Sequence, residues 1–150
     1  MFYRQLQGER THAHATRAEG PDTPSPPGGR GSLRGDLLQW AVYLGGYAVE
    51  AALKARICRL LGAENYPDSG KYKGVYAVHD LDQLLFLAGL QGKPELQKAP
   101  LFESWTLAAP WKPDLRYSPP GTITRKQAAE ILKTIRDPRN GVLRWIKSYW

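Results

Sequence analysis

Between Asp36 and Leu61 apolar side chains recur every three or four residues through DLLQWAVYLGGYAVEAALKARICRLL, without a proline, which is the period of an α-helix. The spacing predicts one long helix with three stripes. Val42, Gly46, Val49, Leu53, Ile57 and Leu60 line up as a large-apolar stripe. Ala41, Gly45, Ala48, Ala52 and Ala55 form a small-residue stripe beside it, where a neighbouring helix can come close. Tyr43, Tyr47, Glu50 and Lys54 set polar groups next to the core, and Glu50 precedes Lys54 by four, the favourable order for a helical ion pair. Gly62 is placed to end the helix.

The stretch ENYPDSGKYKGVYAV then reads as a long, tyrosine-rich loop. A second helix is predicted at about 79–90, opened by His79 or Asp80, with Leu81, Leu84, Leu85 and Ala88 inward and Gly89 and Gly92 as stops. Residues 94–107 can form a third helix. APWKPDLRYSPPG holds four prolines and reads as irregular crossing chain. Thr124, with Gln127 three later, announces a capped fourth helix with Ala128, Ile131, Leu132 and Ile135 on one face, interrupted at Asp137-Pro138. Val142, Trp145, Ile146 and Tyr149 make a last short amphipathic turn. No segment alternates with period two, so the reading is all-α, a four- or five-helix bundle.

At 150 residues the chain fits a single domain able to bury a core without disulfides. Residues 19–32 (EGPDTPSPPGGRGS) are too rich in Pro and Gly and too poor in apolar groups to order, and read as a disordered linker. This divides the chain into a poorly ordered or short helical segment at 1–18, the linker at 19–32 and the bundle at 33–150. Cys58 has no partner for a disulfide, and the opening MFYRQLQGER has no apolar core for a signal peptide. The longest uncharged run, Leu37 to Val49, falls short of the roughly 20 apolar residues that span a bilayer. A cytoplasmic protein away from the membrane is expected.

Net charge sharpens the picture because it is uneven. Of the +7 total, residues 1–36 contribute +1, residues 37–110 nothing and residues 111–150 the remaining +6. The C-terminal part, including Arg136, Arg139 and Arg144, is therefore either the face for phosphates or an acidic partner, or a solvated helix surface.

Four positions invite chemistry. Glu50, the only charge between Leu37 and Leu53, reads as a site carboxylate beside Tyr47 and Lys54 or as a structural ion pair. His79 and Asp80 read as a proton-transfer pair or as a helix cap. Arg116 and Tyr117, after Trp111, offer a guanidinium and a ring that can hold a phosphate and a base. Alternatively Arg116 reaches Glu50 or Asp80 and pins the loop. Walker, GxGxxG, GxSxG, HExxH and CxxC motifs are absent, so no metal and no cofactor is expected.

Three blocks in order, AVYLGGYAVEAALKARIC (41–58), HDLDQLL (79–85) and WKPDLRY (111–117), resemble the small stand-alone bacterial members of the HEPN family. MFYRQLQGER resembles that family's opening helix, although here a Pro/Gly-rich stretch separates it from the long helix. The resemblance implies an up-and-down bundle that forms a homodimer, and binding of RNA, a nucleotide or a cognate nucleotidyltransferase in a toxin–antitoxin-like setting. Ribonuclease members carry an Arg followed after four to six residues by a His. His12, His14 and His79 have no arginine so placed, which favours a catalytically silent protein. The alternative is a metal-independent RNA-cleaving toxin in which His79 joins Arg116, or an arginine of the last helix, across the bundle or dimer.

Overall fold

The computed structural model describes residues 31–150, with side chains from Gly35 onward. Six α-helices follow one another: α1 (Gly31–Leu61), α2 (Lys73–Tyr76), α3 (Leu81–Leu87), α4 (Ala99–Ala108), α5 (Arg125–Arg136) and α6 (Val142–Lys147). Three 3-10 turns stand between them, at Gly70–Tyr72, Pro94–Gln97 and Pro113–Tyr117. No strand occurs among the described residues, which are all-α. None of their helices is long and apolar enough to cross a membrane.

Six helices replace the four or five expected. The extra one, α2, is a single turn inside the tyrosine-rich stretch, too short to leave a periodic trace. The helix expected at 94–107 is divided at Lys98, whose backbone is extended. Pro100 explains the division: in a continuous helix its ring would clash with the carbonyl of Leu96 and it could donate no hydrogen bond. In the first turn of α4 the missing N–H costs nothing. The crossing chain is likewise less irregular than expected, because Pro113 starts a 3-10 turn. Helix α1 begins at Gly31, so the last two residues of the 19–32 segment are helical rather than linker. The rest of that segment, and residues 1–18, lie outside the described residues.

Helix α1 is the spine. It packs against α3, α5, α6 and the Pro113–Tyr117 turn, while α4 packs on α5 and α6. Its inward face buries Val49, Leu53 and Ile57 in one cluster with Leu81, Leu84 and Leu85 of α3 and Val142 and Ile146 of α6, while Val42, also buried, lies by Trp111 and Leu115. Leu60, expected on that stripe, is exposed together with Leu61. The small-residue stripe admits α5 at Gly45, where a β-carbon would meet Leu132 at 3.1 Å and Ile135 at 3.3 Å. Ala48 and Ala55 of the same stripe stay exposed.

Polar contacts fix the registers. Gln39 is buried and its amide Nε2 donates to the carbonyls of Leu115 (3.0 Å) and Ser118 (2.8 Å), tying the crossing chain to α1. Trp105 on α4 donates to Asp82 Oδ1 at 2.9 Å, joining α4 to α3. Arg56 donates to the carbonyl of Tyr149 and anchors the C-terminal turn on α1. Thr124 and Gln127 form the anticipated capping box at the start of α5, and Gly62 ends α1 at φ +60°.

Candidate functional site

Glu50 lies on the inward face of α1 with 2% of its surface exposed, where an ionised carboxylate needs partners. Both partners converge on Oε1. Lys54 Nζ, one helical turn later, is 2.7 Å away, and His79 Nδ1, at the entrance to α3, is 2.9 Å away. Its second oxygen, Oε2, is buried without a hydrogen-bond partner among the described residues. With the carboxylate ionised, the imidazole donates through Nδ1, and the side chain is 57% exposed. This arrangement can orient a proton-transfer or ligand-contacting imidazole.

The tyrosine-rich segment closes the cluster from one side. Lys54 Nζ stands 4.9 Å from the centre of the Tyr66 ring, and the Tyr66 hydroxyl donates to the carbonyl of Tyr76 at 2.9 Å. Burial, followed by the charges of Asp68 and Glu50 among others, pushes the Tyr66 hydroxyl up to about 12. Tyr66 and Tyr76 were not singled out from the sequence. Their only signal was the density of tyrosine between Gly62 and His79.

The other anticipated residues divide between two places. Asp80 does not act with His79: its carboxylate accepts the Gln83 backbone N–H at 3.0 Å and caps α3. The carboxylate that His79 meets is Glu50. Arg116 reaches neither Glu50 nor Asp80. Its guanidinium lies 4.5 Å from the Tyr117 ring centre, and the Tyr117 phenol is the main influence raising its pKa, with Tyr43 adding to it. A neighbouring ring one residue along the chain offers this contact without moving the loop. Tyr43 also stacks on Tyr47 at 6.2 Å and meets Trp111 at 6.2 Å. Tyr47, Arg116 and Tyr117 thus share an aromatic surface, one turn along α1 from the Glu50, Lys54 and His79 cluster.

The basic C-terminal residues form a third surface. Arg136, Arg139 and Arg144 are exposed, and none has a carboxylate within ion-pair distance among the described residues. Arg144 donates to the carbonyl of Pro138 at 2.6 Å, which orients its guanidinium over the turn between α5 and α6. No group of metal-ligating side chains gathers among the described residues. Compared with family models, with curated proteins and with solved structures, the chain finds no match.

Proposed function

We propose that this chain is a catalytically silent, HEPN-like protein that holds RNA by its phosphates on the basic surface of α5, α6 and the turn between them. The observation that carries the reading is the set of exposed guanidinium groups of Arg136, Arg139 and Arg144, none within ion-pair distance of a carboxylate among the described residues, in a segment with a net charge of +6. Phosphate contacts of this kind give affinity and position without reading bases. Arg116, engaged with Tyr43 and Tyr117, is not a partner of His79, which supports a binding role over cleavage. The test is a salt titration of single-stranded RNA binding by the wild type and the Arg136→Gln, Arg139→Gln, Arg144→Gln triple variant. Three lost phosphate contacts reduce the slope of log affinity against log salt by roughly 2. Equal slopes and affinities would overturn the reading and point to a protein partner, such as a nucleotidyltransferase.

The Glu50 to His79 contact favours one second reading, metal-independent RNA cleavage with His79 as the proton-transfer group. Cleavage in the presence of a chelator, abolished in His79→Ala, would establish it in place of the first.

The homodimer implied by the HEPN resemblance has a suitable surface. Leu37, Trp40, Leu44 and Tyr47 repeat at three- and four-residue spacing on the outward side of α1 and are all exposed, the pattern of a helix-to-helix seam. Light scattering should give a dimer for the wild type and a monomer for Leu44→Glu. A monomeric wild type removes the dimer from the proposal.

A further inference from the structure

A cavity of about 320 Å³ opens where the start of α4 meets α6, lined among others by Lys98, Arg139, Asn140, Arg144 and Trp145. That volume lies in the range of small-molecule sites and exceeds what a bare ion needs. Three cations line it, and none has a carboxylate within ion-pair distance among the described residues. One acid, Glu95, lines it too. The Glu95 backbone N–H and the Tyr149 hydroxyl, 3.0 Å away, hold that carboxyl below its usual range and therefore ionised. The lining carries an excess of two positive charges.

Trp145, 8% exposed, gives the cavity an apolar wall, and its ring meets that of Tyr149 edge-on at 6.1 Å. The rest of the lining is held in place. Asp137 Oδ1 accepts the backbone N–H groups of Arg139 (2.7 Å) and Asn140 (2.8 Å), and Pro138 orients Arg144. The turn that carries Arg139, and the Arg144 guanidinium, are thus set before any ligand arrives.

We infer that this cavity is a binding site for a phosphate monoester, gripped by Lys98, Arg139 and Arg144. A monoester carries close to two negative charges at neutral pH and offers three acceptor oxygens, matching the charge excess and the donors. An internal phosphodiester carries one charge and matches less well. The site shares Arg139 and Arg144 with the surface proposed for RNA, but it stands whether or not that surface binds strands. The monoester can come from the 5′ end of a strand or from a free small molecule.

Calorimetry with a 5′-phosphorylated and a 5′-hydroxyl hexauridylate, and separately with adenosine 5′-monophosphate, distinguishes the sources. If strand ends are the source, the phosphorylated strand binds tighter by on the order of tenfold, the preference disappears in Lys98→Gln and in Arg139→Gln, and Lys126→Gln, outside the cavity, retains it. If a small molecule is the source, the two strands bind alike while the monophosphate binds the wild type and neither cavity variant. Absence of both effects, or monophosphate binding that survives Lys98→Gln and Arg139→Gln, overturns the site. Strand binding that persists without a preference leaves the proposed RNA surface intact.

Discussion

Trp111 packs directly against the backbone of Gly46, so closely that a β-carbon on that glycine would stand 2.2 Å from the indole. The crossing chain thereby sinks its largest side chain into α1, next to the point where Gln39 holds the carbonyls of Leu115 and Ser118. Gly46→Ala must displace a rigid buried ring, and overpacking of this kind costs about 1–3 kcal/mol. The gain in helix propensity, up to ~1 kcal/mol, offsets only part of it. At Gly45 the nearest atoms are the flexible ends of Leu132 and Ile135, at 3.1 and 3.3 Å, so Gly45→Ala should come out near neutral. Denaturant midpoints of the two variants provide the comparison, and equal midpoints would contradict the packing.

Glu50 serves a lysine and a histidine from one oxygen, and its removal strands them unequally. Lys54 is mostly covered, with a side-chain exposure of 20%, whereas His79 is more than half exposed. Glu50→Ala should therefore cost on the order of 1–3 kcal/mol, since a largely covered ammonium loses its only carboxylate partner among the described residues. His79→Ala should cost less than about 1 kcal/mol, as expected of a contact open to solvent. Chemical denaturation of both variants tests the order. A larger loss in His79→Ala would mean that the link from the entrance of α3 to α1 matters more than the ion pair within α1.

How much of this was legible follows from the distance over which each feature is decided. The α1 stripes, the Gly62 stop and the Thr124 capping box depend on residues within a few positions, and periodicity and cap chemistry exposed them. Lys54 was readable as the partner of Glu50 because both lie on one stripe. His79 was not, since only the packing of α3 on α1 carries it across 29 positions to the same oxygen. Gln39 was hidden for a related reason: it looks like one polar residue in an apolar run until the crossing chain brings it two carbonyls. For Arg116 the sequence leaves open a ligand contact beside Tyr117 or a reach to Glu50 or Asp80, and the adjacent tyrosine ring meets it locally. The cavity over Trp145 joins the start of α4 to α6, and no spacing in the chain foreshadows it.

Alkali should loosen the tyrosine-rich segment. The Tyr66 hydroxyl is raised from 10.0 to about 12, so the folded state favours the protonated phenol that donates to Tyr76. The stability this contributes is fully present below pH 10 and is lost as pH rises through about 12. Tyr66→Phe should cost about 0.5–1.5 kcal/mol at neutral pH, the usual net value of one hydrogen bond. It should also flatten this part of the alkaline unfolding profile. An alkaline profile identical to the wild type would show that another tyrosine governs the transition.

Acid should act through Asp137, in the turn between α5 and α6. Its carboxylate is held below the ordinary range chiefly by the backbone N–H groups of Asn140 and Arg139, and the same turn closes with the Gly141 N–H on the Asp137 carbonyl at 3.0 Å. A β-carbon on Gly141 would stand 2.3 Å from that carbonyl oxygen, so the turn has little freedom to rearrange around a weakened cap. Because the folded value lies below the unfolded one, the contribution is present at neutral pH and disappears as pH falls through the lowered value. Asp137→Ala should lower the thermal midpoint at pH 7, and the gap to the wild type should close progressively in acid. Asp137→Asn, which keeps an acceptor for the two amides but no charge, should fall between them at pH 7. Since Asp137 is what sets Arg139 and Asn140 at the cavity over Trp145, both variants should also weaken adenosine 5′-monophosphate binding there, Asp137→Ala more than Asp137→Asn. A midpoint difference that stays constant from neutral pH into acid would show that the turn is held by Gly141 and Pro138 alone.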